Sequence, residues 1–194
     1  MFSLADHFSF SAKPDWCYLS AFVSTTGKPN PGWMMKAHSE WITTDAGPLA
    51  LGIECHNLSF DVTDWRKLAG RSFELGPTAG GFMAFQWEDI VRLKLTFGPA
   101  TGTTIQLQAE GRGLVESAPE FFGAEEVDFT INTQLEFTGV HTDVPLNVAD
   151  PLAYSEACVR RVLPDYVYLS PKLIETKDPD GRVLGIGAHL PPKP

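Results

Sequence analysis

The chain has 194 residues, 43% of them hydrophobic and 20% charged, and a formal net charge of −9. That describes one globular domain, residues 1–194, with enough apolar material for a core of its own and too little length for two comfortable domains. The acidic balance opposes nucleic acid and anionic membrane as partners, and no segment approaches the roughly 20 apolar residues of a membrane-spanning helix.

Residues 1–13 have neither the basic start nor the apolar run of a secretion signal. Cys17, Cys55 and Cys158 are odd in number and widely spaced, with no C-x-x-C pair. Together these features predict a cytoplasmic protein with free thiols. Residues 16–23 are almost wholly apolar and predict a strand that is central in its sheet or covered on both faces. Residues 33–43 and 49–56 predict a hairpin around Asp45-Ala46-Gly47-Pro48. Met35, Ala37 and Trp41 face the core from its first strand, and Leu49, Leu51, Ile53 and Cys55 from its second.

Residues 64–70 read as a single helical turn, capped by Asp64 and stopped by Gly70. The glycine-rich stretch 76–81 leads into a strand that sends Met83, Phe85 and Trp87 to the core. Val91, Leu93, Leu95 and Phe97 alternate with polar residues, as do Ile105, Leu107 and Ala109. The Gly98-Pro99-Ala100-Thr101-Gly102 loop between them makes an antiparallel hairpin. Residues 117–123 read as loop. The clearest alternation runs from Val127 through Phe129, Ile131 and Leu135 to Phe137, a strand with one buried and one wet face.

Asp150-Pro151 is an N-cap followed by proline at the first helical position, so residues 151–163 predict a helix that ends before Pro164. Its apolar side, with Leu152, Cys158, Val159 and Val162, packs on the sheet, and Glu156 and Arg160 pair on the polar side. A third hairpin joins 173–176 to 182–188, and 190–194 read as an extended tail. The fold expectation is mainly β: an antiparallel β-sandwich or an open or strongly curved barrel, with one short C-terminal helix packed on it.

Three constellations carry chemistry. On the outer face of the second hairpin, a register that sets His38 opposite His56 also sets Glu40 opposite Glu54. Directly opposed Cβ atoms lie about 5 Å apart. Two imidazoles and two carboxylates so placed form a ligand set for a divalent metal. The plainer reading is a wet hairpin face on which Lys36 neutralises Glu54. The glycine-rich stretch followed by Phe82 suggests a flexible ligand rim, without the lysine and hydroxyl ending of a phosphate loop. Phe121 and Phe122 suggest an aromatic cap on the sheet or an anchor in a protein interface.

The five tryptophans invite a sugar-stacking reading, against which stand the predicted core positions of Trp41 and Trp87. Cys55 and Cys158 fall on apolar faces as inert thiols, no G-x-S-x-G elbow is present, and His7, His141 and His189 are scattered. The functional expectation is a binding or regulatory module without cofactor. It leans away from catalysis and recruits another protein through acidic and aromatic surface loops. The alternative is a small-ligand or metal-binding barrel, enzymatic in that case, built on His38, Glu40, Glu54 and His56.

Overall fold

The computed structural model describes residues 1–5, 7–25 and 30–193. Its strands are β1 (Phe2–Leu4), β2 (Phe8–Phe10), β3 (Tyr18–Val23), β4 (Gly32–His38), β5 (Ile42–Thr44), β6 (Gly47–Leu49), β7 (Gly52–Leu58), β8 (Ser72–Leu75), β9 (Gly80–Met83), β10 (Trp87–Thr101), β11 (Thr104–Leu114), β12 (Glu126–Val144), β13 (Lys172–Lys177) and β14 (Val183–Leu190). Helix α1 is one turn, Pro119–Phe122, and α2 runs Pro151–Val162. Two 3-10 turns span Pro14–Trp16 and Trp65–Leu68.

Seven strands close on themselves in the order β11-β10-β9-β7-β4-β3-β12, and β12 returns to β11. The architecture is therefore a closed barrel, neither a sandwich nor an open curved sheet. It is also mixed, because β3 runs parallel to β12 while the other pairings in the ring are antiparallel. The length of β12 makes closure possible. Its first part pairs with β11 from Glu126 to Glu136, and Glu136 to Thr142 pairs with β3. One long strand thus joins two sheet edges that would otherwise stay open. β1 and β2 extend the sheet from β12, β14 pairs with β12 and β13, and β8 pairs with β10.

The barrel is filled by its own side chains. Leu19, Met35, Ile53, Phe82, Leu95, Ile105 and Leu135 are all fully buried in one continuous core. Alternation along β12 is as expected up to Phe137. A bulge at Gly139, φ +124°, then flips the parity so that Val140, Thr142 and Val144 turn inward. Glycine is needed there, since a Cβ would come within 2.8 Å of His189 Nε2.

Helix α2 starts where expected, with the Asp150 carboxylate accepting from Ala153 N at 3.0 Å. It buries Cys158, Val159 and Val162. Thr142 Oγ1 donates to Ser155 Oγ at 2.9 Å and fastens the helix to β12. The Asp64 turn also forms, its carboxylate accepting from Arg66 N at 2.9 Å, with Gly70 at φ +78° after it. The third hairpin is β13–β14. The C-terminal tail is extended but tied down: Leu169 N and Lys193 N bond across the Tyr168–Pro192 bridge. Pro194 lies outside the described residues. No helix among the described residues is long and apolar enough to cross a membrane.

Two strand expectations change. The 98–102 loop shrinks to the turn between Thr101 and Thr104, because Gly98-Pro99 is absorbed into β10 as a second bulge. In the second hairpin the long arms stop at His38 and resume at Gly52, and the tip folds as a separate small hairpin, β5–β6.

Candidate functional site

β4 sends Met35 and Ala37 into the core and Met34, Lys36 and His38 outward. Its partner β7 places Ile53 and Cys55 inward and Glu54 and His56 outward. The ladder sets Lys36 opposite Glu54 and His38 opposite Gly52, four residues short of His56. The register expected from the sequence is thus replaced by another that keeps the same faces. Lys36 Nζ pairs with Glu54 at 3.0 Å, and His56 Nε2 lies 3.2 Å from the other oxygen of that carboxylate. Glu40 is exposed beyond the end of β4, its backbone N–H bonded to Ser11 O. His38 and Glu40 therefore do not join Glu54 and His56. Among the described residues no three His, Cys, Asp or Glu side chains converge as a metal set.

His38 nevertheless stands at the centre of the most unusual surface on the molecule. It points away from the barrel axis yet is fully buried, because three tryptophans from three separate segments lie against it. Trp16, from the first 3-10 turn, meets it edge-on at 4.9 Å between ring centroids. Trp41, just past β4, lies at 5.6 Å, and Trp87, the first residue of β10, at 6.3 Å. These indoles remain 38%, 41% and 41% exposed. Glycines make the floor. A Cβ on Gly52 would come within 2.7 Å of the His38 ring, and one on Gly81 within 3.2 Å of Trp87.

The hydrogen bonding of His38 is half complete. Nδ1 lies 2.6 Å from the carbonyl oxygen of Ser39. A carbonyl only accepts, so Nδ1 carries the proton and Nε2 presents a bare lone pair. That Nε2 is buried and has no partner among the described residues. Burial, reinforced by the ammonium groups of Lys36 and Lys13, pulls the His38 pKa below its ordinary value, while the Ser39 carbonyl and Glu40 oppose the shift. The imidazole is a neutral acceptor at pH 7. Among the described residues Trp33 Nε1 and Trp65 Nε1 also lack partners, but both indoles pack inside against Phe137.

The other expected site residues lie elsewhere. Phe82 is not a rim residue: its ring is fully buried and stacks on Phe129 at 5.0 Å. Phe121 and Phe122 are half-buried in α1 and belong to an aromatic cluster with Phe8 and Phe85. Phe121 stacks on Phe8 at 5.6 Å and meets Phe85 edge-on at 5.1 Å. They seal the sheet next to β2 and keep partial exposure. Cys55 and Cys158 are buried, and burial pushes the Cys55 thiol up to about 12.

Sequence reasoning missed Trp41 and Trp87 as surface residues because it carried strand parity too far. β4 ends at His38, so Trp41 is released from the core face of that strand. In β10 a bulge between Ile90 and Arg92 flips parity, so Trp87 faces out while Leu93 and Leu95 face in. His141 and His189, far apart in sequence, are cross-strand neighbours whose rings stack at 4.6 Å. Near them the outer face of β3, β4 and β7 holds a shallow groove of about 430 Å³ floored by Phe22, Gly32 and Met34. No family model, curated protein or solved structure matches the chain.

Proposed function

We propose that this chain is a non-catalytic binding protein whose recognition surface is the tryptophan-bearing outer face around His38. The observation that carries this reading is the convergence of Trp16, Trp41 and Trp87, all partly exposed, on a buried histidine with one unpartnered nitrogen. Large apolar area left in water beside an orphaned polar atom costs free energy in the isolated chain. A bound partner removes both costs, and aromatic anchors are where binding energy concentrates. Binding is favoured over catalysis because the three cysteines are buried and His38 Nε2 faces no nucleophile among the described residues.

The test is oxidative footprinting of the indoles in an extract of producing cells and after purification. Trp16, Trp41 and Trp87 are expected to oxidise more slowly in the extract, while the core residues Trp33 and Trp65 react equally in both. Equal oxidation of all five tryptophans in the two samples would remove the reading.

A further inference from the structure

The three indoles are not an empty cage for a cation. Lys13 Nζ already lies 3.9 Å from the Trp16 ring centroid. Lys36 Nζ lies 5.0 Å from the Trp16 centroid and 5.6 Å from that of Trp87. These ammonium groups use the negative ring faces that a cationic ligand would need, and a further cation would meet their repulsion. A purely apolar ligand would cover the indoles and leave Nε2 unpaired, which keeps the desolvation penalty in place. A carboxylate or sulfate would be drawn to the lysines but has no hydrogen to donate to Nε2, and any anion would meet the Glu54 carboxylate held beside Lys36.

One chemistry meets all of these constraints. Its bearer has a flat C–H face for the indoles and groups around its edge that both donate and accept. Resting on the binding-face reading above, we infer that the ligand is a neutral saccharide. A sugar ring stacks on Trp41, 41% exposed and with no ammonium over its ring among the described residues, and a hydroxyl donates to His38 Nε2. Other hydroxyls accept from Lys13 or Lys36 and donate to Glu54. Neighbouring polar groups already serve both needs, since Glu54 bridges Lys36 and His56. Nε2 is closed to solvent, so the hydroxyl reaches it when one indole swings aside. All three tryptophans are partly exposed.

The experiment follows the five indole N–H signals by NMR during titration with cellohexaose, chitohexaose and mannohexaose, and with tetramethylammonium as a cation probe. At least one hexasaccharide is expected to shift the Trp16, Trp41 and Trp87 signals saturably and leave those of Trp33 and Trp65 in place. Trp41→Ala should weaken that binding about tenfold or more, as expected for loss of an anchoring aromatic. His38→Phe keeps a ring of similar size without the lone pair, and should weaken it comparably in a protein that still folds. The imidazole 15N signal of Nε2, unprotonated in the free protein, should move toward a hydrogen-bonded value on binding.

Silence with all three sugars overturns the saccharide assignment. So does sugar binding unchanged in Trp41→Ala, or a response to tetramethylammonium alone. If the sugars are silent while the extract still protects the same indoles in the footprint, the binding face stands and its ligand class falls. If both are negative, both readings fall.

Discussion

The barrel has two outer faces built from the same alternating strands. On β10, β11 and β12 the outward residues are Arg92, Lys94, Glu110, Asp128 and Thr130, which lie open to water, and the half-buried Arg112. Asp128 bonds Arg112 at 2.9 Å and Arg92 at 3.3 Å, and Arg112 also reaches Glu126 at 3.6 Å. On β3, β4 and β7 the outward set is Phe22, Met34, Lys36, His38 and Glu54, and segments from outside those strands fold over part of it. Strand period decides which residues leave the core. What a strand then meets outside depends on neighbours that the period does not specify. The first face is satisfied by water and by its own ion pairs. The second holds a buried imidazole whose Nε2 has no partner among the described residues, and three partly exposed indoles, and the function proposed above rests on that difference.

The largest test of the shared interior uses β12 itself. Phe129→Ala should lower stability by about 3–5 kcal/mol, since its ring is buried against Phe82. Its outward neighbour Thr130→Ala should stay within about 0.5 kcal/mol. Urea denaturation of both variants measures the gap, and equal losses would show that this face is covered as well. Next in size is Gly52→Val, which drives carbon into the His38 ring and toward Met83 Cβ, 3.2 Å from the first added atom. It should cost about 1–3 kcal/mol through overpacking and should also raise the oxidation rates of Trp16 and Trp87. A stable variant with unchanged footprint would mean that the glycine floor does not position the cluster.

The pH response sharpens the contrast further. His38 and His141 both have folded-state pKa values pulled below the ordinary 6.5, first by burial. The unfolded chain then binds protons more readily, so their contribution is fully present above about pH 6.5 and is lost as pH falls through the folded values. The denaturation midpoint should drop between about pH 7 and pH 5, and His38→Phe should drop less. Identical slopes in the two proteins would remove His38 as a contributor. On the charged face, the Arg112 hydrogen bonds hold the Asp128 carboxyl below its usual range, so its contribution is lost only in stronger acid. The smallest effect belongs to Arg112→Ala. Its small shift in Tm should shrink further in about 1 M salt, where screening acts within about 3 Å. A loss that persists in salt would show that the pairs do more than neutralise charge.

Local signals in the sequence were strong where each residue's environment follows from its near neighbours. The alternation of β12 up to Phe137 needs no distant information, because side chains on a pleated strand point alternately to the two sides. The Asp150 cap and Pro151 start of α2 are equally local, as is the Asp64 turn. The site was legible only in part. His38 stood out as an outward residue of the second hairpin, and Lys36 does pair with Glu54. Its partners were misplaced because any even register shift keeps the same faces inward, and parity alone cannot choose between Gly52 and His56 as the residue opposite His38. Trp41 and Trp87 were hidden by a strand end and a bulge, local irregularities that leave little trace in composition.

The sequence by itself determined a β-rich chain, the place of helix α2 and the inward residues of β11 and of β12 up to Phe137, because these depend on backbone period and capping over a few residues. Only the tertiary structure decided the closed ring, the parallel β3–β12 pair and the meeting of Trp16, Trp41 and Trp87 on His38. Those depend on which strand edges find each other and where bulges shift the count, and such choices are made between residues far apart in the chain.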